Sequence, residues 1–173
     1  MIKVSKTKLE GVLTIEPEIF EDHRGDYIEL YNEKLYKESG ITVSFVTDSD
    51  IVSSKHVLRG IHGDSRTWKL ISCARGKLYL AVVNCEEGSK DFGAWESFAI
   101  SEKNRKQVLV PAKYGVAHLV MSDWGVYHYK QSEYYEGMEN QFTYRWDDPK
   151  FGIWWPIKNP ILSRRDESGT SVH

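Results

Sequence analysis

The sequence predicts an all-β sandwich or barrel with one short helix and an aromatic cap near the C-terminus. Helical periodicity is nearly absent, and short β-rich runs recur at similar intervals between turn residues. Aromatic residues, which favour strands, make up 13% of the 173 residues. No repeat, low-complexity stretch or linker divides the chain, so residues 1–173 are expected to form a single domain.

The elements follow in order. Phe20 to Tyr27 contains Asp22-His23-Arg24-Gly25, which reads as a turn and equally as a basic group free to meet a phosphate. Asn32 to Ser39 is the one helix, with Leu35 and Tyr36 facing inward and Gly40 ending it. Leu70 to Ala74 and Lys77 to Val83 flank Arg75-Gly76 and are expected to pair as a hairpin with Gly76 in the turn. Strands are expected at Trp95–Ile100, at Gln107–Val110 before Pro111, at His118–Met121 and at Gly125–Gln131. The Trp146 to Pro156 segment, rich in rings and turn residues, is expected to cap one end of the β-structure. The polar residues Glu167 to His173 are expected to fray.

Composition narrows the function. A net charge of −2 offers no basic surface for nucleic acid. No apolar run is long enough to span a bilayer, and the first residues lack the apolar stretch of a secretion signal. Cys73 and Cys85 match no metal or redox spacing and lie in apolar runs. They read as reduced core thiols of a cytoplasmic protein.

The chemistry concentrates in Val57-Leu58-Arg59-Gly60-Ile61-His62-Gly63-Asp64. Strand alternation alone places Arg59 and His62 on opposite faces. Glycines at 60 and 63 mark a bulge or a close approach of backbone, and a bulge would turn both side chains into one pocket. His62 is then a candidate base. Tyr127 and Tyr129 share a face, and a buried Tyr129 phenol can return a proton to a carbanion. Asp166 is a candidate to orient His62. Arg24, Arg59 and Lys69 suit a phosphate. No cofactor is implied, since phosphate-loop and dinucleotide motifs are absent. A metal is not expected either, because His56, His62, His118 and His128 lack the spacing and carboxylates of a ligand set.

These residues carry a resemblance. The chain resembles the dTDP-4-dehydrorhamnose 3,5-epimerase family along nearly its whole length. The matching stretches are Phe20 to Gly25, Ser53 to His62, Phe92 to Trp95, Val110-Pro111, Ala117-His118, Tyr129-Lys130 with Tyr134-Tyr135, Gly152 to Pro156, and Leu162-Ser163 to Asp166. The resemblance implies a cupin-like jelly roll, a homodimer and no metal or organic cofactor. It implies removal of the proton at C3, C5 or both of a nucleotide-diphospho-4-keto-6-deoxy sugar bound for a surface polysaccharide such as O-antigen. His62 would be the base, Asp166 its orienter, Tyr129 the acid at C5 and Lys69 the partner of the enolate oxygen. Arg24, Arg59 and His118 would hold the diphosphate, and Tyr135 the nucleotide end. A C3-only epimerase and a non-catalytic sugar-nucleotide-binding cupin are the alternatives.

The chain also departs from the family pattern. Thr47 precedes Asp48 where the family usually has Gln, and Val83-Asn84-Cys85-Glu86 replaces a VDxR segment. Gly63-Asp64, the short segment after His118 and Gln141-Phe142-Thr143-Tyr144 are more similar to epimerases of GDP-linked 6-deoxy-4-keto-heptoses.

Overall fold

The structure is a computed structural model and describes residues 1–172. Strands β1 (Ile2–Lys6), β2 (Leu13–Pro17), β5 (Thr47–Ser54), β7 (Lys69–Arg75), β10 (Gln107–Val110) and β12 (Trp124–Gln131) form one sheet, in the order β1-β2-β10-β7-β12-β5. Strands β6 (Leu58–Gly63), β8 (Lys77–Asn84), β9 (Trp95–Ser101), β11 (Tyr114–Val120) and β13 (Phe142–Thr143) form the second, in the order β13-β6-β11-β8-β9. All strand pairs are antiparallel. The arrangement is the expected cupin-like jelly roll.

Period-two alternation explains how the two sheets face each other. Ile71 and Cys73 on β7 meet Leu78, Leu80 and Val82 on β8 in one buried cluster, joined by Ile100, Val108 and Val120. Each fully buried aliphatic side chain stabilises the fold by about 1.5–3 kcal/mol relative to exposure.

The expected hairpin at Gly76 is not formed. β7 pairs with β10 and β12, whereas β8 pairs with β11 and β9. Only Gly76 lies between them, too little chain for a two-residue hairpin loop. The chain instead turns a corner from one sheet to the other, so both apolar faces close on one core. Gly76 has φ +80°, and a Cβ there would stand 2.1 Å from the Trp124 carbonyl oxygen.

The expected helix is α1 (Glu33–Glu38), with Asn32 as N-cap accepting from the Leu35 amide. It ends in a Schellman motif. The Ile41 amide donates to the Tyr36 carbonyl at 2.9 Å and the Gly40 amide to that of Lys37 at 3.0 Å. Tyr36 anchors this helix against the outer face of the larger sheet with Ile15, Leu70 and Leu109, and its hydroxyl binds Gln107. Strands β3 (Ile19–Asp22) and β4 (Gly25–Ile28) form a separate hairpin that leaves Ile19, Phe20 and Tyr27 exposed.

The aromatic segment caps the outer face of the five-stranded sheet and not the expected end of the β-structure, because the outward residues of β6, β8 and β11 are themselves apolar. Phe151, Ile153 and Trp155 pack there on Ile61, Val83 and Ala117. The tail departs from expectation. Arg164–Glu167 is a single helical turn, α2. Beyond it, the Thr170 amide donates to the Thr143 carbonyl at 2.8 Å and the Val172 amide to Asp148 Oδ2 at 2.8 Å. Backbone hydrogen bonds and the apolar Val172 side chain hold a segment whose composition alone reads as solvated. His173 lies outside the described residues.

Position 60 sets the geometry of β6. His62 pairs with Val116 and Arg59 with His118, so three steps on β6 oppose two on β11. This is the expected bulge, and Gly60 at φ +121° makes it possible. A Cβ on Gly60 would lie 2.4 Å from the Val116 carbonyl oxygen and 2.6 Å from Ala117 Cα. Both contacts are to backbone, which cannot rotate away. Gly60→Ala is therefore expected to destabilise the fold by more than about 2 kcal/mol, read from the midpoint of urea unfolding.

Candidate active site

The bulge brings Arg59 and His62 to the same cavity, of about 520 Å³, as the LRGxH spacing suggested. Lys69, His118, Tyr129, Tyr135 and Asp166 also line it. The volume falls within the range of small-molecule sites. His62 comes from the five-stranded sheet and Tyr129 from the six-stranded one, so the two stand on facing walls.

Local sequence explains the position of Asp166. Ser163 is the N-cap of α2, and its hydroxyl oxygen accepts from the Asp166 amide at 3.2 Å. The arrangement is half of a capping box in Ser163-Arg164-Arg165-Asp166. The Asp166 side chain then reaches across to β6. Its Oδ1 accepts from His62 Nε2 at 2.7 Å and from the Gly60 amide at 3.2 Å, and its Oδ2 accepts from Ser163 Oγ at 2.7 Å. Burial disfavours the charge of this carboxyl, which is 2% exposed. The hydrogen bonds from His62, Ser163 and Gly60 outweigh that penalty and hold it below its ordinary range. A carboxylate only accepts, so Nε2 of His62 carries the hydrogen and Nδ1 keeps the lone pair.

The other cavity groups differ in charge. Burial pushes the Lys69 ammonium below its usual value, and Arg165 adds to the effect while Asp64 opposes it. Burial raises the Tyr129 phenol, which therefore stays protonated at neutral pH. His118 stacks on Tyr127 at 4.2 Å between ring centres, and its Nε2 is buried without a partner among the described residues. Burial first, then the charges of Arg59 and His62, push it down to about 3. It is a neutral imidazole. Arg59 is exposed and donates from Nε to Ser53 Oγ at 3.1 Å.

Two expected residues stand further out. Tyr135 sits at the mouth, 59% exposed. Arg24 does not line the cavity: it lies in the turn of the β3–β4 hairpin, paired with Asp22 at 2.6 Å. The structure also adds Arg165 and Gln131, which no motif marks. Arg165 enters the cavity, held by Thr143 Oγ1 at 2.9 Å and Gln141 Oε1 at 3.2 Å. Gln131 follows Tyr127 and Tyr129 on the same face of β12, so strand alternation alone points to it. His128 and Lys130 face the other way and pair with Asp48 and Asp50.

The buried His118 has a measurable consequence. Unfolded chain protonates it near pH 6.5, whereas the native ring stays neutral down to about 3. Protons then favour the unfolded state between those values, so stability falls as pH is lowered through them, by up to about 1.4 kcal/mol per pH unit. Urea unfolding followed against pH is expected to have a shallower slope in this window for His118→Asn.

Comparison with known proteins places nearly the whole chain in one family. A family model described as dTDP-4-dehydrorhamnose 3,5-epimerase matches residues 6–173. The enzyme of that name from Methanothermobacter thermautotrophicus is 34% identical over 168 residues, covering 94% of this chain and 90% of the relative. The crystal structure of dTDP-6-deoxy-D-glucose-3,5-epimerase from Legionella pneumophila, in complex with dTDP-4-keto-L-rhamnose, superimposes with a TM-score of 0.93. It is 32% identical, over 99% of this chain and 93% of that one. A 3'-monoepimerase from Streptomyces bikiniensis, solved with dTDP-quinovose, has a TM-score of 0.89 at 29% identity, over 95% of this chain and 85% of that one. Relatives of these names are isomerases, and the chain belongs to the dTDP-4-dehydrorhamnose 3,5-epimerase family.

Proposed function

We propose that the protein epimerises C3 and C5 of a nucleotide-diphospho-4-keto-6-deoxy sugar without a cofactor, for surface-polysaccharide synthesis. The observation that carries this reading is the 2.7 Å hydrogen bond between His62 and a buried, ionised Asp166 in a cavity shared with Lys69 and Tyr129. A ketone at C4 acidifies the C–H bonds on both sides. His62 Nδ1 takes the proton, and the imidazolium that forms is stabilised by Asp166. The Lys69 ammonium meets the enolate oxygen. The Tyr129 phenol, on the facing wall, returns a proton to the opposite side of C5. Positioned acid–base groups contribute about 10²–10⁴ in rate.

The diphosphate is assigned to Arg59, to neutral His118 as a hydrogen-bonding group, and to Arg24. One copy leaves Arg24 on a projecting hairpin, so this assignment requires a homodimer in which that hairpin reaches the partner's cavity. Tyr135, exposed at the mouth, is assigned to the nucleotide. Relatives are named for dTDP sugars. Gly63-Asp64 and Gln141 to Tyr144 favour a GDP-linked heptose for this chain, and a binding comparison of dTDP, GDP, CDP and UDP decides between them.

A C3-only reaction is the second reading, supported by the name of the Streptomyces bikiniensis monoepimerase. Tyr129, placed opposite His62, favours action at both carbons. The retained base, carboxylate, phenol and lysine argue against a non-catalytic cupin. The test is wash-in of deuterium from D₂O into a 4-keto-6-deoxy sugar nucleotide. Wild type is expected to label C3 and C5, His62→Asn neither, and Tyr129→Phe to lose inversion at C5. Normal exchange in His62→Asn would remove it as the base, and label at C3 alone would establish the monoepimerase.

A further inference from the structure

Thr47, Gln131 and Lys69 stand side by side across three adjacent strands, paired in register on β5, β12 and β7. Gln131 and Lys69 are 7% and 8% exposed. The buried Thr47 hydroxyl has no hydrogen-bond partner among the described residues. The Gln131 backbone carbonyl accepts from the Val46 amide, whereas its carboxamide borders the cavity without a hydrogen-bond partner among the described residues. A row of buried polar groups left open to a cavity costs stability, and an apolar residue at 131 would avoid the penalty.

Position narrows what the amide meets. Cross-strand partners on one face hold their Cβ atoms about 4.5–5.5 Å apart, so the Gln131 carboxamide and the Lys69 ammonium can reach a common atom. Gln131 is also two residues beyond Tyr129 on the same face, and it borders both the main cavity and a smaller one of about 220 Å³. We propose that Gln131 is a further catalytic residue, whose N–H donates beside Lys69 to the C4 oxygen as it gains enolate charge. The inference rests on the epimerase reading and extends it to a two-donor cradle. A neutral amide adds a second hydrogen bond without a second positive charge beside a buried ammonium.

Gln131→Leu keeps the volume and removes the donor. With dTDP-4-keto-6-deoxyglucose, GDP-4-keto-6-deoxymannose and a GDP-linked 6-deoxy-4-keto-heptose as probes in D₂O, the variant is expected to lose about 100-fold in the rate of C3 exchange. Affinity for dTDP and GDP alone is expected to be unchanged, and the thermal unfolding midpoint equal to or above that of wild type. A rate within twofold of wild type would overturn the proposal, as would a loss matched by weaker nucleotide binding. Lys69→Met separates the two levels: if it loses exchange while Gln131→Leu does not, the epimerase reading stands and the cradle falls. If wild type exchanges none of the three probes, both fall.

Discussion

The site depends on one buried carboxylate. Asp166 receives hydrogen bonds from His62, the Gly60 amide and Ser163, and each does different work. The first fixes the tautomer of the ring. The second ties the carboxylate to the backbone of the bulge that aims the ring. The third comes from the cap of the turn that carries Asp166 itself. A buried carboxylate without such donors would take up a proton, and the imidazole would lose both its orientation and the charge that stabilises its protonated form.

The interior pursues two ends that conflict. Toward β8 and β9 the space between the sheets is filled by Leu78, Leu80, Val82, Phe98 and Ile100, and contributes to stability. Toward β12 and β5 it is left open and lined with His118, Lys69 and Gln131, all at least nine-tenths buried. Those groups weaken the fold and gain their value only when a ligand supplies the missing partners. The neutral state of His118 and the protonated state of Tyr129 follow from the same low-dielectric surroundings.

Much of this was legible in the sequence because it is local. Glycines on either side of Ile61-His62 announce the bulge, Asn32 and Gly40 bracket the helix, and Ser163 three residues before Asp166 announces the cap. Alternation along Tyr127-Tyr129-Gln131 identifies one wall of the cavity. The failures are all matters of long-range pairing. Nothing near Gly76 says whether β8 pairs with β7 or crosses to the other sheet, because both choices bury the same faces. The tail reads as polar until Thr143 and Asp148, distant in sequence, supply its partners. The place of Arg24 is likewise invisible from composition, since β3 and β4 pair with each other and no ladder among the described residues ties that hairpin to either large sheet.

The corner at Gly76 bears on how the molecule is made. Because β5 to β8 and again β10 to β13 alternate between walls, neither sheet is a contiguous piece of chain, and outside the local pairs β1–β2, β3–β4 and β8–β9 the ladders await residues synthesised much later. Topologies dominated by such distant pairings fold slowly, in milliseconds to seconds. His62 and Asp166 are 104 positions apart, so a nascent chain carries the imidazole long before the carboxylate that holds it. The hydrogen-bonded pair at the heart of the cavity is thus among the last features to form during biosynthesis.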